Sequence, residues 1–277
     1  AIFAFALGFA FGVPSALLMG YNGCMLGAFF ALFVPHGLGV PLGGWLAIHN
    51  GTTHYFVTGR EPFDMREVFQ QELAEVQSRL VQIAELVEIA IQQATTAFRT
   101  SDVSLAEQVI ENNERVEQMA AELDELTIDI LARQQPVASD LRLMVGALRM
   151  GSSLERMTDL AEHIAQLARY RYPESAIPQG LRKTFARMGE LDTKIAGKLV
   201  ELLRTQDPAF IDDIRDIDDA IDELHAKVFE KVLSDKVNTD TTGVVDATLA
   251  SRYHERFGDH AVNISRQVNY FLRGALL

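Results

Sequence analysis

Cysteine is almost absent from this chain of 277 residues, which contains only Cys24. A disulfide framework and a metal site built from several thiolates are therefore excluded, as expected for a protein of a reducing compartment. The sequence also lacks a Gly-rich phosphate loop, a Gly-x-Ser-x-Gly nucleophile elbow and a His-Glu-x-x-His zinc signature. None of these common catalytic motifs therefore indicates an enzymatic function.

Clusters of basic residues are missing as well. The chain has 25 Lys and Arg against 38 Asp and Glu, which gives a formal net charge of −13 and a pI near 5.0. Nucleic-acid binding needs clustered Lys and Arg to neutralise phosphates, so nucleic acid is excluded as a partner. The length is sufficient for one large domain or two modest domains with an ample core.

Charge of either sign is absent from residues 1–59, and Arg60 is the first charged residue. Residues 1–19 and 24–34 are almost continuously apolar, and a bilayer span needs about 20 apolar residues. The pattern predicts an apolar transmembrane helical segment within residues 1–54, with a second span only if that run continues to Ile48. The alternative is a buried hairpin of a soluble protein.

Part of this apolar segment is similar to a known membrane family. Tyr21-Asn22-Gly23, Pro35-His36-Gly37 and Gly44-Trp45 resemble the stage II sporulation protein M-like family. That family continues with further spans, whereas the pattern here stops near His54. The resemblance implies a truncated membrane-protein fragment joined through a linker, residues 55–66, to a different protein. Membrane contact through residues 1–54 is therefore expected.

Helical periodicity dominates the rest of the chain. Apolar residues recur at alternating spacings of three and four, which is typical of helices packed in a bundle. Three long helical patterns occupy residues 67–172 and three more occupy residues 181–274. The predicted fold is all-α, with two tandem three-helix bundles after the apolar segment.

An acidic motif repeats at equivalent positions of the two halves. Glu155-Arg156-Met157-Thr158-Asp159 returns 100 residues later as Glu255-Arg256-Phe257-Gly258-Asp259, and the turn at Asp102 returns 105 residues later at Asp207. Each motif has carboxylates at i and i+4, which a helix places on one side. The spacing indicates an internal duplication with one acidic site in each half.

A second carboxylate pair, Asp218 and Asp222, precedes the second motif, and Asn113 with Glu117 stands at the equivalent place in the first half. Converging carboxylates repel one another unless a cation compensates, and oxygen ligands suit hard cations or iron. Solvated surface charge and pairing with Arg156 or Arg256 are the alternatives. The candidate metal ligands are Glu117, Glu155, Asp159, Asp218, Asp222, Glu255 and Asp259.

A carboxylate-bridged di-iron oxidase would need Glu-x-x-His on two helices. The nearest match is Asp222-x-x-His225, which occurs once and has no equivalent in the first half. We therefore assign no catalytic residue and expect a protein that is not an enzyme. A metal-dependent enzyme and a membrane-tethered helical scaffold are kept as alternative functions.

The repeated motif also resembles a known family. Asp140-Leu141-Arg142, Leu154 to Asp159, and Glu255 to Ile264 are similar to the PhoU family of phosphate-signalling regulators, and the likeness covers residues 65–274. It implies two three-helix bundles, often in a homodimer, with acidic pairs that bind metal ions in some members. Iron, manganese and magnesium are the metals considered, and Asn113 is a departure from the pattern.

The PhoU resemblance further implies a negative regulator of phosphate uptake and of the phosphate-starvation response. The implied partners are the ATPase of the phosphate-specific ABC transporter and the phosphate sensor histidine kinase. The PhoU resemblance implies a bacterial cytoplasmic location. The apolar residues 1–54 separately predict an association with the membrane.

Overall fold

The computed structural model describes residues 47–49, 52–54, 63–234 and 240–273, and side chains are described from residue 67 onward. Six long helices form one compact unit, Pro62–Leu277. The helices are α1 Phe63–Thr100, α2 Val103–Gln134, α3 Ala138–Arg171, α4 Arg182–Thr205, α5 Ala209–Leu233 and α6 Thr241–Arg273, with a short 3₁₀ helix, Gln179–Leu181, before α4. The all-α prediction is confirmed for this unit, and α1 begins within the segment that was predicted to be a linker.

A separate unit, Ala1–Glu61, contains two short strands. Strands β1 Ala47–His49 and β2 Thr52–His54 are antiparallel. The second span was expected only if the apolar run continued to Ile48, and at that residue the chain forms a strand instead of a helix. The rest of the predicted membrane segment, and the resemblance carried by it, lie outside the described residues. Among the helices that are described, none combines the length and apolar character required for a membrane crossing.

The same turn starts the second helix of each repeat. The Asp102 side chain accepts a hydrogen bond from the Leu105 backbone N–H at 3.0 Å, and Asp207 accepts one from the Ala209 backbone N–H at 2.9 Å. Such aspartates satisfy backbone donors that a helix leaves free at its start. The preceding residues, Ser101 and Gln206, both have φ of 57°. The predicted turn spacing therefore reflects a shared local structure.

The helices form two bundles that share one core. Helices α1, α2 and α3 pack together as the first bundle, and α4, α5 and α6 pack together as the second. The bundles meet along a seam in which α1 packs against α4 and α3 packs against α6. One hydrophobic cluster extends through both bundles; its large, fully buried members include Ile83, Ile91, Leu154, Met157, Ile164 and Phe257.

Two contacts show how α3 and α6 are related across the seam. Asn263 donates a hydrogen bond to the Ser153 hydroxyl at 3.2 Å, and the rings of His163 and Tyr253 lie 5.1 Å apart. Positions 100 residues apart are equivalent in α3 and α6, so Ser153 corresponds to Tyr253 and His163 to Asn263. Exchanging the two repeats therefore converts each contact into the other. The two helices are thus antiparallel and related by a pseudo-twofold axis midway between these contacts, near the acidic motifs.

Close approach of α1 to α4 depends on a glycine. A Cβ at Gly189 would lie 2.9 Å from Thr95 Cβ, closer than side chains pack. At the end of the seam, Phe98 and Phe185 meet edge to face with centroids 5.5 Å apart. The repeats are therefore joined by a packed seam as well as by the polypeptide.

Candidate acidic sites on the two bundles

The seven predicted ligand residues lie in two groups, at the contacts of α2 with α3 and of α5 with α6. We define the first acidic group as Glu117, Glu155 and Asp159, and the second acidic group as Asp218, Asp222, Glu255 and Asp259. The members range from half-buried to exposed. The expected convergence of neighbouring helices brings these carboxylates together in pairs and small clusters, whereas their role as metal ligands stays a prediction.

A buried amide lies in the middle of the first acidic group. Asn113 is only 4% exposed. Its Nδ2 donates to Glu117 Oε1 at 3.1 Å, Asp159 Oδ1 at 3.3 Å and Glu162 Oε2 at 2.7 Å. The amide therefore connects α2 to α3 through carboxylates on both helices. Sequence reasoning missed Glu162, although its place three residues after Asp159 on the same helical side could have indicated it.

Two further side chains donate hydrogen bonds to carboxylates at the first acidic group, and one of them, Arg156, carries a positive charge. Arg156 donates to Asp159 Oδ2 at 2.8 Å, and Gln166 donates to Glu162 Oε1 at 2.6 Å. The pairing with Arg156 that the sequence offered as an alternative is therefore present. Burial raises the pKa of the Glu155 carboxyl, and the charge of Asp159 raises it further. Glu155 is thus the member with the least compensation.

The second acidic group has fewer donors. Asp218 Oδ1 and Glu255 Oε2 are buried atoms without a hydrogen-bond partner among the described residues. Burial, followed by the charges of Asp222, Asp259, Asp219 and Glu255, raises the pKa of Asp218 to about 7. Burial is also the largest cause of the raised pKa values of Asp222 and Glu255. The group therefore keeps uncompensated negative charge when ionised.

The ion pair of the second acidic group comes from an unexpected arginine. Arg252 donates to Glu255 Oε1, whereas Arg256, which the sequence offered as a partner, makes no ion pair within the described part of the chain. Arg252 lies three residues before Glu255, so both side chains project from the same side of α6. Among the described residues, the guanidinium of Arg252 is thus the only ion-pair partner of this group.

A glycine allows Asp218 to approach α6. A Cβ at Gly258 would overlap Asp218 Oδ1 and would lie 3.4 Å from Ile221 Cδ1. The equivalent position in the first bundle is Thr158, whose buried hydroxyl donates to the Leu154 carbonyl at 3.1 Å. Asp218 of α5 therefore faces Gly258 of α6, whereas the residue equivalent to Gly258 in the first bundle is Thr158 of α3.

An imidazole lies beside the second acidic group. His225 Nδ1 is 2.7 Å from the hydroxyl of the buried Ser251, and its ring contacts Phe229 edge to face at 4.9 Å. The charge of His225 lowers the pKa values of Asp222 and Glu255, in opposition to their burial. Since Ala120 and Gly151 occupy the equivalent places in the first bundle, this polar contact belongs to the second bundle alone.

A buried acid and histidine lie behind the second acidic group. Asp192 of α4 and His254 of α6 are both 0% exposed, and His254 Nδ1 contacts Asp192 Oδ2, while the His254 ring lies beside the rings of Phe98 and Phe185. Burial raises the pKa of Asp192, and the interaction with His254 only partly opposes it. Neither residue was singled out from the sequence, where each is one polar position in an apolar stripe.

The described side chains do not form a complete metal-coordination site in their present positions. Within the described residues, no three His, Cys, Asp or Glu side chains come close enough together to hold a metal ion. The donor chemistry nevertheless differs between the groups. The first presents carboxylates that are already bonded to an amide and a guanidinium, and the second presents two buried oxygens without donors. A cation would fit the second group better than the first.

The fold and these groups define a class of protein: a tandem, pseudo-symmetric pair of three-helix bundles, each with a carboxylate pair on its third helix. Comparison with known proteins identifies this class. The PhoU domain model matches residues 80–168 and 185–268, one match in each bundle. The chain belongs to the PhoU family, as the resemblance from the sequence predicted.

Individual relatives agree with this assignment. The Phosphate-specific transport system accessory protein PhoU homolog 2 of Mycobacterium tuberculosis is 37% identical over 211 residues, which cover 76% of this chain and 99% of the relative. The crystal structure of PhoU from Pseudomonas aeruginosa is similar with a TM-score of 0.69 and 30% identity, covering 75% of this chain and 100% of the other. The phosphate transport system regulatory protein PhoU from Streptococcus pneumoniae, at a TM-score of 0.67 and 22% identity over 76% and 99% of the two chains, supports the fold alone.

Proposed function

We propose that this protein is a non-enzymatic regulatory accessory protein of a phosphate-specific transport system. It restrains phosphate uptake and the phosphate-starvation response in a bacterial cytoplasm. Membership of the PhoU family carries this proposal, and the acidic motif that occurs on both sides of the pseudo-twofold axis gives it a structural basis. The alternative of a metal-dependent enzyme has no comparable support among the relatives.

Regulation by contact requires that the protein bind one state of its partner better than another. The proposed partners are the ATPase of the phosphate transporter and the phosphate sensor histidine kinase. The exposed side of α5 carries several carboxylates: Asp212, Asp213, Asp216, Asp219 and Glu223. With the overall charge of −13, this side favours partners with a basic surface, because complementary charge accelerates and orients association.

The regulatory proposal is tested in a bacterial strain from which its own PhoU-family gene has been deleted. Expression of a phosphate-starvation reporter is measured at high phosphate, with and without the full chain. Restored repression by the full chain supports the proposal. Unchanged repression in the deletion strain, or no effect of the full chain on a derepressed strain, contradicts it.

Contact with the transporter is tested separately, by titrating the purified ATPase subunit with the full chain. The variant Glu255→Gln/Asp259→Asn is expected to weaken binding, and Glu190→Gln on α4, an exposed position away from both acidic groups, is the matched control. Equal affinity for all three proteins would place the contact elsewhere. Sedimentation of the full chain tests the proposed homodimer in the same samples.

Metal binding is a further part of the proposal. Iron, manganese and magnesium suit the carboxylate oxygens of Asp218, Asp222, Glu255 and Asp259. A bound cation would neutralise charge that burial makes unfavourable and would tie α5 to α6. The two buried oxygens without donors support this assignment. Metal content of the full chain after exposure to each ion, measured by elemental analysis, is the test.

Membrane contact through residues 1–54, of which the structure describes only 47–49 and 52–54, is proposed from the sequence alone. The pattern of apolar residues without charge supports it. If this contact exists, the full chain remains in the membrane fraction after an alkaline carbonate wash. Recovery of the full chain in the supernatant contradicts membrane tethering and leaves the regulatory proposal intact.

A further inference from the structure

The two acidic groups occupy equivalent places but differ in the residues around them. Equivalent positions lie 105 residues apart in α2 and α5 and 100 residues apart in α3 and α6. Several pairs of equivalent positions differ in chemistry, and they include Asn113 and Asp218, Ala120 and His225, Gly151 and Ser251, Thr158 and Gly258, and Glu162 and Val262. The first bundle has an amide, Asn113, and a carboxylate, Glu162, that bond to each other, whereas the second has a carboxylate, Asp218, and an imidazole, His225.

The amide closes the first acidic group from within. Only 4% of the Asn113 surface is exposed, and its Nδ2 donates hydrogen bonds to three carboxylates on two helices. Each N–H directs positive charge at the oxygens that a cation would need. A cation could take this place only by breaking these hydrogen bonds.

The orientation of the amide follows from its surroundings. Rotation of the Asn113 side chain by 180° would place Oδ1 against Glu117, Asp159 and Glu162, where oxygen would meet oxygen. The observed orientation avoids this repulsion and leaves Oδ1 without a partner. Since the orientation of an amide is chosen from its hydrogen bonds, three acceptors on one side determine it here. In the rotated orientation, Oδ1 would need a bound cation or a protonated carboxyl group as its partner.

The second acidic group contains no such internal donor. Asp218 takes the place of Asn113, and Val262 takes the place of Glu162, so both members of the strongest amide bond are replaced. Asp218 Oδ1 and Glu255 Oε2 remain buried and without hydrogen-bond partners in the described part of the chain. A buried carboxylate oxygen without a donor is unfavourable, and a bound cation would relieve this cost without protonation of the carboxylate.

We infer that the duplicated motif has divided its roles: the second acidic group is the cation site, and the first is a metal-independent cross-link of α2 to α3 made by Asn113. This inference rests on the metal-binding part of the proposed function. It limits that part to one bundle. The carboxylates Glu117, Glu155 and Asp159 are then partners of internal donors and not ligands.

The test is a titration of the full chain, stripped with a chelator, with Mn²⁺ alone. Free Mn²⁺ is followed by electron paramagnetic resonance. Binding to the unmodified chain is expected at the second group only. Asp218→Asn should weaken it at least tenfold, about the smallest loss found when a group supporting a metal ligand is removed. Glu117→Gln, at the first group, should leave the affinity unchanged.

The reciprocal variant provides the sharper result. Asn113→Asp converts the first group toward the composition of the second, and it should add Mn²⁺ sites that the unmodified chain lacks. No added binding would overturn the assignment of Asn113 as the residue that closes the group. A loss of part of the bound Mn²⁺ in Glu117→Gln would also overturn it, since the first group would then be a cation site in the unmodified chain.

A stability measurement covers the case in which Asn113→Asp does not fold. Asn113→Ala should lower the melting temperature equally with and without Mn²⁺, and Asn112→Ala, on the exposed side of the same turn, is the control. A loss seen only with Mn²⁺ would overturn the cross-link. Absence of Mn²⁺ binding to the unmodified chain would refute this inference and the manganese part of the proposed function, while the reporter assay judges phosphate regulation independently.

Discussion

In the first bundle the core positions Val87 and Leu154 are apolar, whereas their equivalents in the second bundle are Asp192 and His254. The same contrast occurs beside the acidic groups, where Ala120 in the first bundle corresponds to His225 in the second. The helices and their apolar register have been retained in both copies. Duplication has thus kept the framework of the bundle and allowed the polar contacts between its helices to diverge.

The contrast matters because both partners of a buried polar contact must be replaced together if the bundle is to stay stable. A buried pair is favourable when both partners are present, and one partner alone is strongly unfavourable. An amide and its carboxylates follow the same rule. Variants that exchange whole pairs between the bundles should therefore be tolerated better than variants that exchange one member. The predictions below use this rule.

The largest effect is expected at the buried pair of Asp192 and His254. Asp192→Val alone leaves His254 buried without its partner and should reduce the free energy of unfolding by about 3–5 kcal/mol. Asp192→Val/His254→Leu, which copies the first bundle, should recover most of this loss. Urea unfolding followed by circular dichroism measures both, with the exposed Glu190→Val on the same helix as the control.

A double variant as unstable as the single variant would show that the surrounding core of the second bundle is shaped for the polar pair. The rings of Phe98 and Phe185, which lie 6.5 Å and 5.9 Å from the His254 ring between centroids, would then be the residues that impose this shape. The comparison of the bundles would in that case extend beyond the pair itself.

Much of the helical architecture could be predicted because it depends on repeated apolar positions. The spacing of three and four indicated six helices, and the return of Asp102 at Asp207 indicated the duplication. The antiparallel seam could not be predicted, since no periodicity within a helix specifies its neighbour in the other repeat. Apolarity alone also left open whether the run continued as a helix to Ile48, because an apolar run does not distinguish a strand from a helix.

The sequence predicted which carboxylates belong to the acidic groups, but it did not predict their hydrogen-bond and ion-pair partners. Spacing at i and i+4 identified the carboxylates, because it fixes which side of a helix they share. It could not show that Asn113 donates to three of its neighbours, or that Arg252 pairs with Glu255 in place of Arg256. These depend on the distance between two helices and on side-chain orientation, which sequence spacing does not contain.

The second largest effect is expected at Gly258. Gly258→Ala places a Cβ against Asp218 Oδ1 and should reduce the free energy of unfolding by about 1–3 kcal/mol through overpacking. Gly146→Ala on α3 is a matched control, because its Cβ would meet only Met150 Cε at 3.8 Å, an ordinary contact. That variant should be neutral or slightly stabilising, since alanine favours helix over glycine by about 1 kcal/mol.

Adding Asp218→Asn to Gly258→Ala tests whether the two positions act as a unit. Removal of the charge should let the side chain withdraw from α6 more readily, so the double variant should lose less stability than the sum of the single variants. Strict additivity in thermal unfolding would show that the contact of Asp218 with α6 is not what Gly258 accommodates.

A third effect is the pH dependence of the second acidic group in metal-free protein. The pKa of Asp218 is raised in the folded chain from 3.8 to about 7, so the folded state binds its proton more tightly than the unfolded state. Its contribution to stability is therefore fully present below pH 3.8 and is lost as the pH rises through about 7. Asp218→Asn should remove this loss.

The stabilisation by Asp218→Asn should thus be near zero in acid and about 1–2 kcal/mol at pH 8, a value reduced for the partial exposure of the side chain. Chemical unfolding in a chelating buffer across this pH range measures it. Asp219→Asn, at the exposed neighbouring position, is the control and should show no such trend. A pH-independent difference would contradict burial as the cause of the raised pKa.

The smallest effect is expected from the arginines that neutralise the two groups. Arg156 pairs with Asp159, where the side chains are 63% and 21% exposed, and Arg252 pairs with Glu255, where they are 49% and 14% exposed. Exposed ion pairs contribute about 0–1 kcal/mol. Because Asp159 keeps its bond to Asn113, Arg156→Ala should lower the melting temperature less than Arg252→Ala, which removes the ion-pair partner that the described residues supply to Glu255. The difference should shrink in 1 M salt, where exposed charges are screened within about 3 Å.

Equal effects at low salt would show that the amide of Asn113 does not substitute for a positive charge, and that the two acidic groups differ less than their contacts indicate.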